Sequence, residues 1–355
     1  MEKKDVLIVG GTGYGGAELI KRVLAHPHIN LKAITSIDEV GKNIGESLFN
    51  FYGRTPLTFE EIPIRKAVEK YKPAAVLLGL PHKVTATIIP EIFDTDVKIV
   101  DMSGDYRLNS PQDYKTYYGV DHPDPGNLKN FVYGIPELFR KEIAKAKWVA
   151  SPGCFATCII LGLAPLAKAG LLNGKIIKTV AATGSSGSGS YPSAGTHHPL
   201  RVNNMKIYKV LEHQHLPEIE MALEMLGARD FQLEFVPVSA PLSRGILANT
   251  FVDLDEHFSQ KDVDHLVHET YEGSSFIKTI QGRKPEIVGI KGTNYCEIGA
   301  TVSKRLHTKT KQRPLVMTTA LDNLVKGGAG QAIQNLNVIL GFDERFSLDD
   351  FGTWP

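Results

Sequence analysis

An α/β fold in two domains is predicted by three features of the chain. A short apolar run at the start breaks at a cluster of glycines, apolar runs then alternate with helix-period stretches, and from Phe231 onward strands of alternating polarity take over. The first two features read as a doubly wound parallel sheet with a dinucleotide turn. The third reads as an antiparallel sheet with one exposed face. The expected division is a dinucleotide-binding domain over residues 1–152 and 319–355, with an α+β domain carrying a mainly antiparallel sheet over 153–318.

A chain of 355 residues is long enough for two such domains. With 42% apolar and 22% charged residues it has an ordinary globular composition. The formal net charge of +1 argues against a nucleic-acid surface. The three cysteines, Cys154, Cys158 and Cys296, have no metal-ligand spacing, so free thiols in a reducing compartment and no metal site are expected. No signal peptide and no bilayer-length apolar run is visible, which predicts a cytoplasmic protein without a membrane partner.

Taken in order, Val6–Val9 is the first predicted strand and Ala17–His26 the first helix. Between them, Gly11, Gly13 and Gly16 fit G-x-G-x-x-G in the strand–turn–helix context that the motif requires. Glycine permits the tight turn and lets backbone amides approach a pyrophosphate at the helix N-terminus. The second strand, Leu31–Ser36, ends where an adenosine ribose would lie. Asp38 follows Gly16 by about twenty residues, the usual place for an acid on the ribose 2′-hydroxyl and hence for NAD. Thr35, Ser36 and Lys42 would instead suit a 2′-phosphate, and these residues leave the choice open.

Two further βα-like units end at Pro81-His82 and at Ser103-Gly104-Asp105, positions where ligands collect in parallel sheets. Residues 106–147 read as loop-rich, punctuated by Pro111, Pro123, Pro125 and Pro136. Arg107, just after the Ser103–Tyr106 turn, is a candidate anion clamp, a surface arginine being the simpler alternative.

Ser151-Pro152-Gly153-Cys154 then delivers a cysteine to the start of an apolar helix. Proline is tolerated near the first helical turn, whose amides stay free to donate and whose dipole favours a thiolate. A small buried hydrophobe is the alternative reading of that cysteine. The loop Gly184–Ser190 is dense in amides and hydroxyls and leads into His197-His198-Pro199-Leu200-Arg201, which suits a phosphate or a nicotinamide better than a linker. His213 and His215 stand at i and i+2 before a predicted helix, not at the spacing of a helical zinc pair. Either can exchange a proton near neutral pH, and Glu218 either orients one of them or belongs to the first helical turn. Arg244 is a second anion-clamp candidate. The last predicted helix starts near Asp322-Asn323 and carries Gly327, Gly328 and Gly330, which implies close approach of another backbone or a ligand. Phe342–Pro355 reads as a surface tail.

These motifs stand in one order: Gly10–Gly16, Ser151–Cys154, the 184–190 loop, His213-x-His215-x-Pro217-Glu218, Arg244-Gly245-Ile246 and Asp322–Gly327. Together, over about residues 5–345, the chain resembles the N-acetyl-γ-glutamyl-phosphate reductases of arginine biosynthesis. It resembles about as well the branch that reduces acyl phosphates built on an amino-group carrier protein, in lysine or arginine synthesis. The resemblance implies an NADP-dependent phosphorylating aldehyde dehydrogenase that works as a homodimer or homotetramer. Its cofactor contacts would fall on Thr12, Gly13, Tyr14, Gly15, Gly16, Ser36, Gly187 and Asn323, and its nucleophile on Cys154. The paired histidines fall on His213 and His215, with His215 the expected acid–base. Arg107, His198, Arg201, Glu218 and Arg244 are the candidates for phosphate and substrate carboxylate. Where many relatives carry an arginine after Thr-Ser in the second strand, this chain has Ile37 followed by Asp38, and Gln214 replaces a common arginine between the histidines. A non-catalytic dinucleotide sensor is the rival reading, but it leaves the cysteine turn, the histidines and the arginines without a role.

Overall fold

The computed structural model describes residues 3–354 and separates into two compact units. One runs to Gly153 and resumes over Gly328–Asp350; the other holds Cys154–Gly327 and the segment from Phe351. The expected return at residue 319 would cut a strand that continues to Leu321, so the chain leaves the second unit only after Gly327.

The first unit is a seven-stranded sheet, all its pairs parallel. Its strands are β1 (Lys4–Val9), β2 (Ile29–Thr35), β3 (Phe59–Glu60), β4 (Ala75–Leu78), β5 (Lys98–Asp101), β6 (Phe131–Tyr133) and β7 (Trp148–Ala150). Their order is β3-β2-β1-β4-β5-β7-β6. The strands nearest the centre are buried on both faces, which is why Leu7, Ile8, Val76, Leu77, Ile99 and Val100 form unbroken apolar runs. Because β1 pairs with both β2 and β4, the winding reverses beside it, and ligands of doubly wound sheets bind at that switch point.

The first helix, Tyr14–Leu24, begins earlier than the predicted Ala17, with Gly13 as its N-cap. The segment 106–147 is more regular than its prolines suggested. Pro111 and Pro136 open the helices Pro111–Tyr118 and Pro136–Lys145, where a missing N–H loses no hydrogen bond. The C-terminal segment is not a surface tail as far as Asp350: buried Arg22 donates to the Ser347 carbonyl (2.9 Å) and pairs with Asp350, and Leu348 is fully buried.

The second unit holds β8 (Ile176–Thr183), β9 (Lys206–Ile207), β10 (Gln232–Ser239), β11 (Ile246–Asp255), β12 (Ile277–Thr279), β13 (Cys296–Val302) and β14 (Gln312–Leu321). Their order is β12-β13-β14-β11-β8-β10-β9, with antiparallel pairs outnumbering parallel ones. The alternating run that opens at Phe231 was expected to be antiparallel, yet β10 runs parallel to β8. The helices Cys154–Lys168, Leu216–Met225 and Gln260–Tyr271 belong to the same unit. The first of these is buried almost throughout. Gly162 lets it lie close on β14, since a Cβ there would overlap the Thr319 hydroxyl. Between β14 and the C-terminal helix Gly330–Leu340 comes a π-type turn, Val325–Ala329, so the helix predicted from Asp322 starts later.

Candidate active site

In the first unit the glycine turn is fixed by packing. A Cβ on Gly16 would sit 2.5 Å from the Gly10 carbonyl oxygen, and one on Gly11 would overlap Ile34. The first helix has no side-chain cap and no acid in its first turn, so its leading amides and dipole face the turn without a carboxylate of their own. A turn that only glycine fits, opening on an uncapped helix, suits the pyrophosphate of a dinucleotide. Thr12, Gly13 and Gly15 are half-buried there, and Tyr14 is exposed.

At the end of β2, the Ser36 hydroxyl accepts the Asp38 amide (3.1 Å), while Ile37 and Asp38 are exposed. Lys42 is ion-paired with Glu39 at 2.6 Å, which raises the pKa of the lysine and lowers that of the glutamate. The countercharge expected of Lys42 is thus already engaged by an acid.

At the end of β5, Asp101 is completely buried and accepts from the Ser103 amide (2.9 Å) and hydroxyl (2.7 Å). Burial pushes its pKa up to about 6, against the lowering by those hydrogen bonds. Arg107 is not a surface arginine. It is 5% exposed, and it donates from Nε to the Ser151 carbonyl (2.8 Å) and from Nη2 to the Met102 carbonyl (2.6 Å). It ties the turn after β5 to the residue that opens the cysteine turn.

Cys154 is the first residue of its helix and is partly exposed, whereas Cys158 and Cys296 are buried. Burial pushes the Cys158 thiol well above its ordinary pKa, which keeps it protonated and inert. Gly327 passes so close that a Cβ on it would lie 2.8 Å from the Cys154 Cβ. For Gly327, one of the three C-terminal glycines, the expected close approach is to the cysteine itself.

His213 and His215 are both buried, with ring centroids 4.7 Å apart. Phe155, the residue after the cysteine, packs edge-on against them at 5.3 and 6.2 Å, and so holds the pair to the start of the cysteine helix. His213 Nδ1 accepts the His215 amide (3.1 Å), so in the neutral ring its proton sits on Nε2. His215 is the N-cap residue of the helix Leu216–Met225, and Glu218 lies fully buried in that helix's first turn.

Tyr208, which carries no sequence motif, is brought to this cluster by β9. Its ring lies 5.9 Å from that of His213. Burial raises its phenolic pKa, the Cys154 charge adds to the rise and Arg201 opposes it. Arg201 donates to the Thr183 carbonyl (3.2 Å), and burial lowers its pKa.

The 184–190 loop is not a linker. It forms a short 3-10 turn, Ser185–Ser188, whose Ser185 and Ser186 amides donate to the carbonyls of Leu242 and Ser243 (2.8 and 3.0 Å). Asn323 clamps the two loops: its Oδ1 accepts the Gly245 amide (2.7 Å) and its Nδ2 donates to the Ser186 hydroxyl (3.0 Å). Gly187 stands beside the same amide group, its Cβ position 3.8 Å from Asn323 Nδ2. Arg244 pairs with Asp322 (3.5 Å), which is fully buried and also accepts the amides of Gly292, Leu324 and Val325. The second unit therefore brings Cys154, His213, His215, Tyr208 and Arg201 together, and beside one another Asn323, Gly187 and the Ser186 hydroxyl. His198 is exposed in the short helix His198–Arg201.

A glycine-turn domain followed by a domain that opens on a cysteine helix defines an oxidoreductase of the semialdehyde dehydrogenase class. Residues 5–146 match the family model for the semialdehyde dehydrogenase NAD binding domain, and 154–323 that for the semialdehyde dehydrogenase dimerisation domain. A nicotinamide dinucleotide is thus the cofactor class. The aspartate semialdehyde dehydrogenase II of Vibrio cholerae, complexed with ASA, superposes with a TM-score of 0.70 at 16% identity over 96% of this chain and 99% of that one. The Candida albicans aspartate semialdehyde dehydrogenase with NADP gives 0.68 at 14% identity, over 96% and 99%.

Nearer in sequence is the N-acetyl-gamma-glutamyl-phosphate reductase of Methanococcus maripaludis (strain C7), 37% identical over 99% of this chain and 100% of its own. The [LysW]-L-2-aminoadipate/[LysW]-L-glutamate phosphate reductase of Sulfurisphaera tokodaii is also 37% identical, over 97% of each chain. The chain belongs to the N-acetyl-γ-glutamyl-phosphate reductase family. Among the described residues, no helix is long and apolar enough to cross a membrane.

Proposed function

We propose that this enzyme reduces an N-substituted γ-acyl phosphate to its semialdehyde and phosphate, with N-acetyl-γ-glutamyl phosphate as the substrate. The observation that carries this reading is Cys154: the one partly exposed thiol of the three, at a helix start, bound through its neighbour Phe155 to two buried histidines. The Cys154 sulfur attacks the acyl carbon, and the C–S bond forms as the C–O bond to phosphate breaks. His215 takes the thiol proton, because His213 Nδ1 is already committed to a backbone amide. Amides of the cysteine turn stabilise the oxyanion. When bound, the nicotinamide supplies the hydride that reduces the thioester. Collapse then breaks the C–S bond, frees the aldehyde and returns the thiolate, which His215 reprotonates. Arg201 and Arg244 bind the phosphate and the substrate carboxylate, with His198 and Glu218 as further substrate contacts. Arg107, spent on two backbone carbonyls, holds the cysteine turn in place.

The dinucleotide is held by the turn from Thr12 to Gly16 and by Ser36, with Gly187 and Asn323 at its nicotinamide end. NADP is the preferred form, and exposed Asp38 beside Ser36 leaves NAD a substrate too. The enzyme works in the cytoplasm as a homo-oligomer. Its candidate interface is the outward sheet face on which Ile176, Val180 and Phe251 are exposed along β8 and β11.

The test is phosphate-dependent reduction of NADP and NAD with N-acetylglutamate semialdehyde. Cys154→Ala is expected to abolish turnover and keep cofactor binding; a variant that still turns over refutes the scheme. A carrier-linked acyl phosphate is the second reading, supported by the 37% identity with the [LysW]-linked phosphate reductase of Sulfurisphaera tokodaii.

A further inference from the structure

Glu297 on β13 is 1% exposed and takes no part in the proposed chemistry. Its strand neighbour Ile298 pairs with Thr319 of β14, which lies under Gly162 of the cysteine helix. Side chains alternate along a strand, so Glu297, Gly299 and Thr301 share the opposite sheet face. Residues 282–292 run across that face as a strap. Arg283 donates to both Glu297 carboxylate oxygens (2.5 and 2.8 Å), and the Glu286 amide donates to one of them (3.2 Å). Pro285 packs on Gly299, where a Cβ would lie 2.9 Å from Pro285 Cδ, and Lys284 Nζ donates to the Thr301 hydroxyl (2.6 Å). A buried carboxylate is costly unless paired and hydrogen-bonded, and Arg283 and Glu286 meet that need.

The far end of the strap reaches the Arg244 turn. Ile287 lies against Gly245, which has φ +107°, and a Cβ on that glycine would stand 2.3 Å from Ile287 Cγ2. The Gly292 amide donates to Asp322 Oδ2 (2.7 Å), the same oxygen that Arg244 Nη1 approaches at 3.5 Å. Strap and arginine thus share one acceptor atom, beside the Gly245 amide that Asn323 holds.

We propose that Glu297 is a positioning residue: by fastening the strap it holds the Arg244–Gly245 turn, and with it the anion site for the substrate. The proposal rests on the reading of Arg244 as a substrate contact in a γ-acyl phosphate reductase. The route is contiguous, from Glu297 through Arg283 and Glu286 to Ile287, and from Ile287 to the turn that carries Arg244. A carboxylate with a merely structural role sets stability alone. One that acts through the strap sets substrate affinity, because a loosened turn weakens the grip of Arg244 on substrate and transition state alike.

The experiment compares the full-length wild type with Glu297→Gln and Ile287→Ala. It reads steady-state kinetics with N-acetylglutamate semialdehyde, phosphate and NADP, NADPH binding by fluorescence, and hydrogen exchange at the Gly245 and Gly292 amides. In both variants the KM for the semialdehyde is expected to rise about tenfold, as for coupled residues that do not touch the ligand. The kcat is expected to stay within about twofold, NADPH affinity to stay unchanged, and exchange at Gly245 to speed up. Ile287→Ala leaves the buried carboxylate and its partners in place, so it decides the question if Glu297→Gln does not fold. An unchanged KM in a folded Ile287→Ala enzyme overturns the proposal. So does a fall in kcat at constant KM, or unchanged exchange at Gly245. Failure of the wild type to reduce either cofactor with any semialdehyde refutes the reductase reading instead, and exchange at Gly245 then decides alone whether the strap holds the turn.

Discussion

Gly327→Ala places a methyl group where the structure leaves no room for one. The new Cβ would lie 2.8 Å from the Cys154 Cβ, 3.1 Å from its Cα and 3.1 Å from Leu321 Cδ1. Carbon atoms rest at about 3.5–4.0 Å, so relief requires roughly 1 Å of movement by the turn, the cysteine or both. Leu321 and the turn around Gly327 are fixed by the buried Asp322, whose side chain accepts three backbone amides, so the helix start that carries Cys154 is the softer partner. Overpacking of this kind costs about 1–3 kcal/mol of stability. A displacement of about 1 Å in a reacting group costs on the order of a hundredfold in rate.

Two measurements separate these effects. Urea unfolding gives the stability loss, and kcat with the rate of Cys154 alkylation gives the misplacement. Gly126→Ala is the control, since a Cβ there meets nothing within 4 Å. We expect the control to match wild type, and Gly327→Ala to fold with kcat lowered about a hundredfold. A folded Gly327→Ala enzyme with wild-type kcat and alkylation rate would show that the position of Cys154 is not what this contact controls.

Asp101 gives a pH test. Its folded pKa is raised from 3.8 to about 6 by burial, so the folded state binds the proton more tightly than the unfolded chain. The stabilisation is fully present below pH 3.8 and is lost as pH rises through about 6. The span corresponds to roughly 3 kcal/mol by linkage. Asp101→Asn should remove that part of the slope in urea titrations between those pH values; an unchanged slope refutes the assignment. Asn323→Ala deletes both bonds of the clamp and leaves the Gly245 amide unsatisfied, at a cost of about 1–3 kcal/mol. Hydrogen exchange should then speed up at Ser185–Ser188 and Gly245 and stay unchanged in the first unit; unchanged exchange at those loops counts against the clamp.

What could be read in the chain was steric or local. Gly16 announces its turn because a Cβ there would run into the Gly10 and Gly11 backbone, and Gly11 because one would overlap the Ile34 side chain; Pro152-Gly153-Cys154 announces a helix start because few other places tolerate that order. What escaped was non-local. The alternation of Gln232–Ser239 reports that one face is buried, and it carries no information on strand direction, so parallel pairing with β8 was invisible. Nothing local marks Leu321 or Gly327 as the end of a domain. Arg107 is of a residue type usually found at the surface, and the contact that anchors it most remotely, its bond to the Ser151 carbonyl 44 residues on, has no local signal. Tyr208 reaches the site through a strand of two residues, shorter than any period can reveal.

The histidine pair shows where local and non-local information meet. The i, i+2 spacing alone looked like two equivalent proton carriers, and only the family resemblance favoured His215. In the fold, the amide of one donates to Nδ1 of the other, so the spacing builds a turn in which His213 serves as an acceptor for the backbone of His215. A ring so engaged cannot exchange a proton at that nitrogen without breaking the turn that leads into the helix Leu216–Met225. Phe155 then sets both rings against the start of the cysteine helix. The asymmetry supports the proposal that His215 is the proton carrier, with His213 as an acceptor for its backbone. Under the proposed mechanism the motif supplies a base and its support, a division of labour that rests on one backbone hydrogen bond.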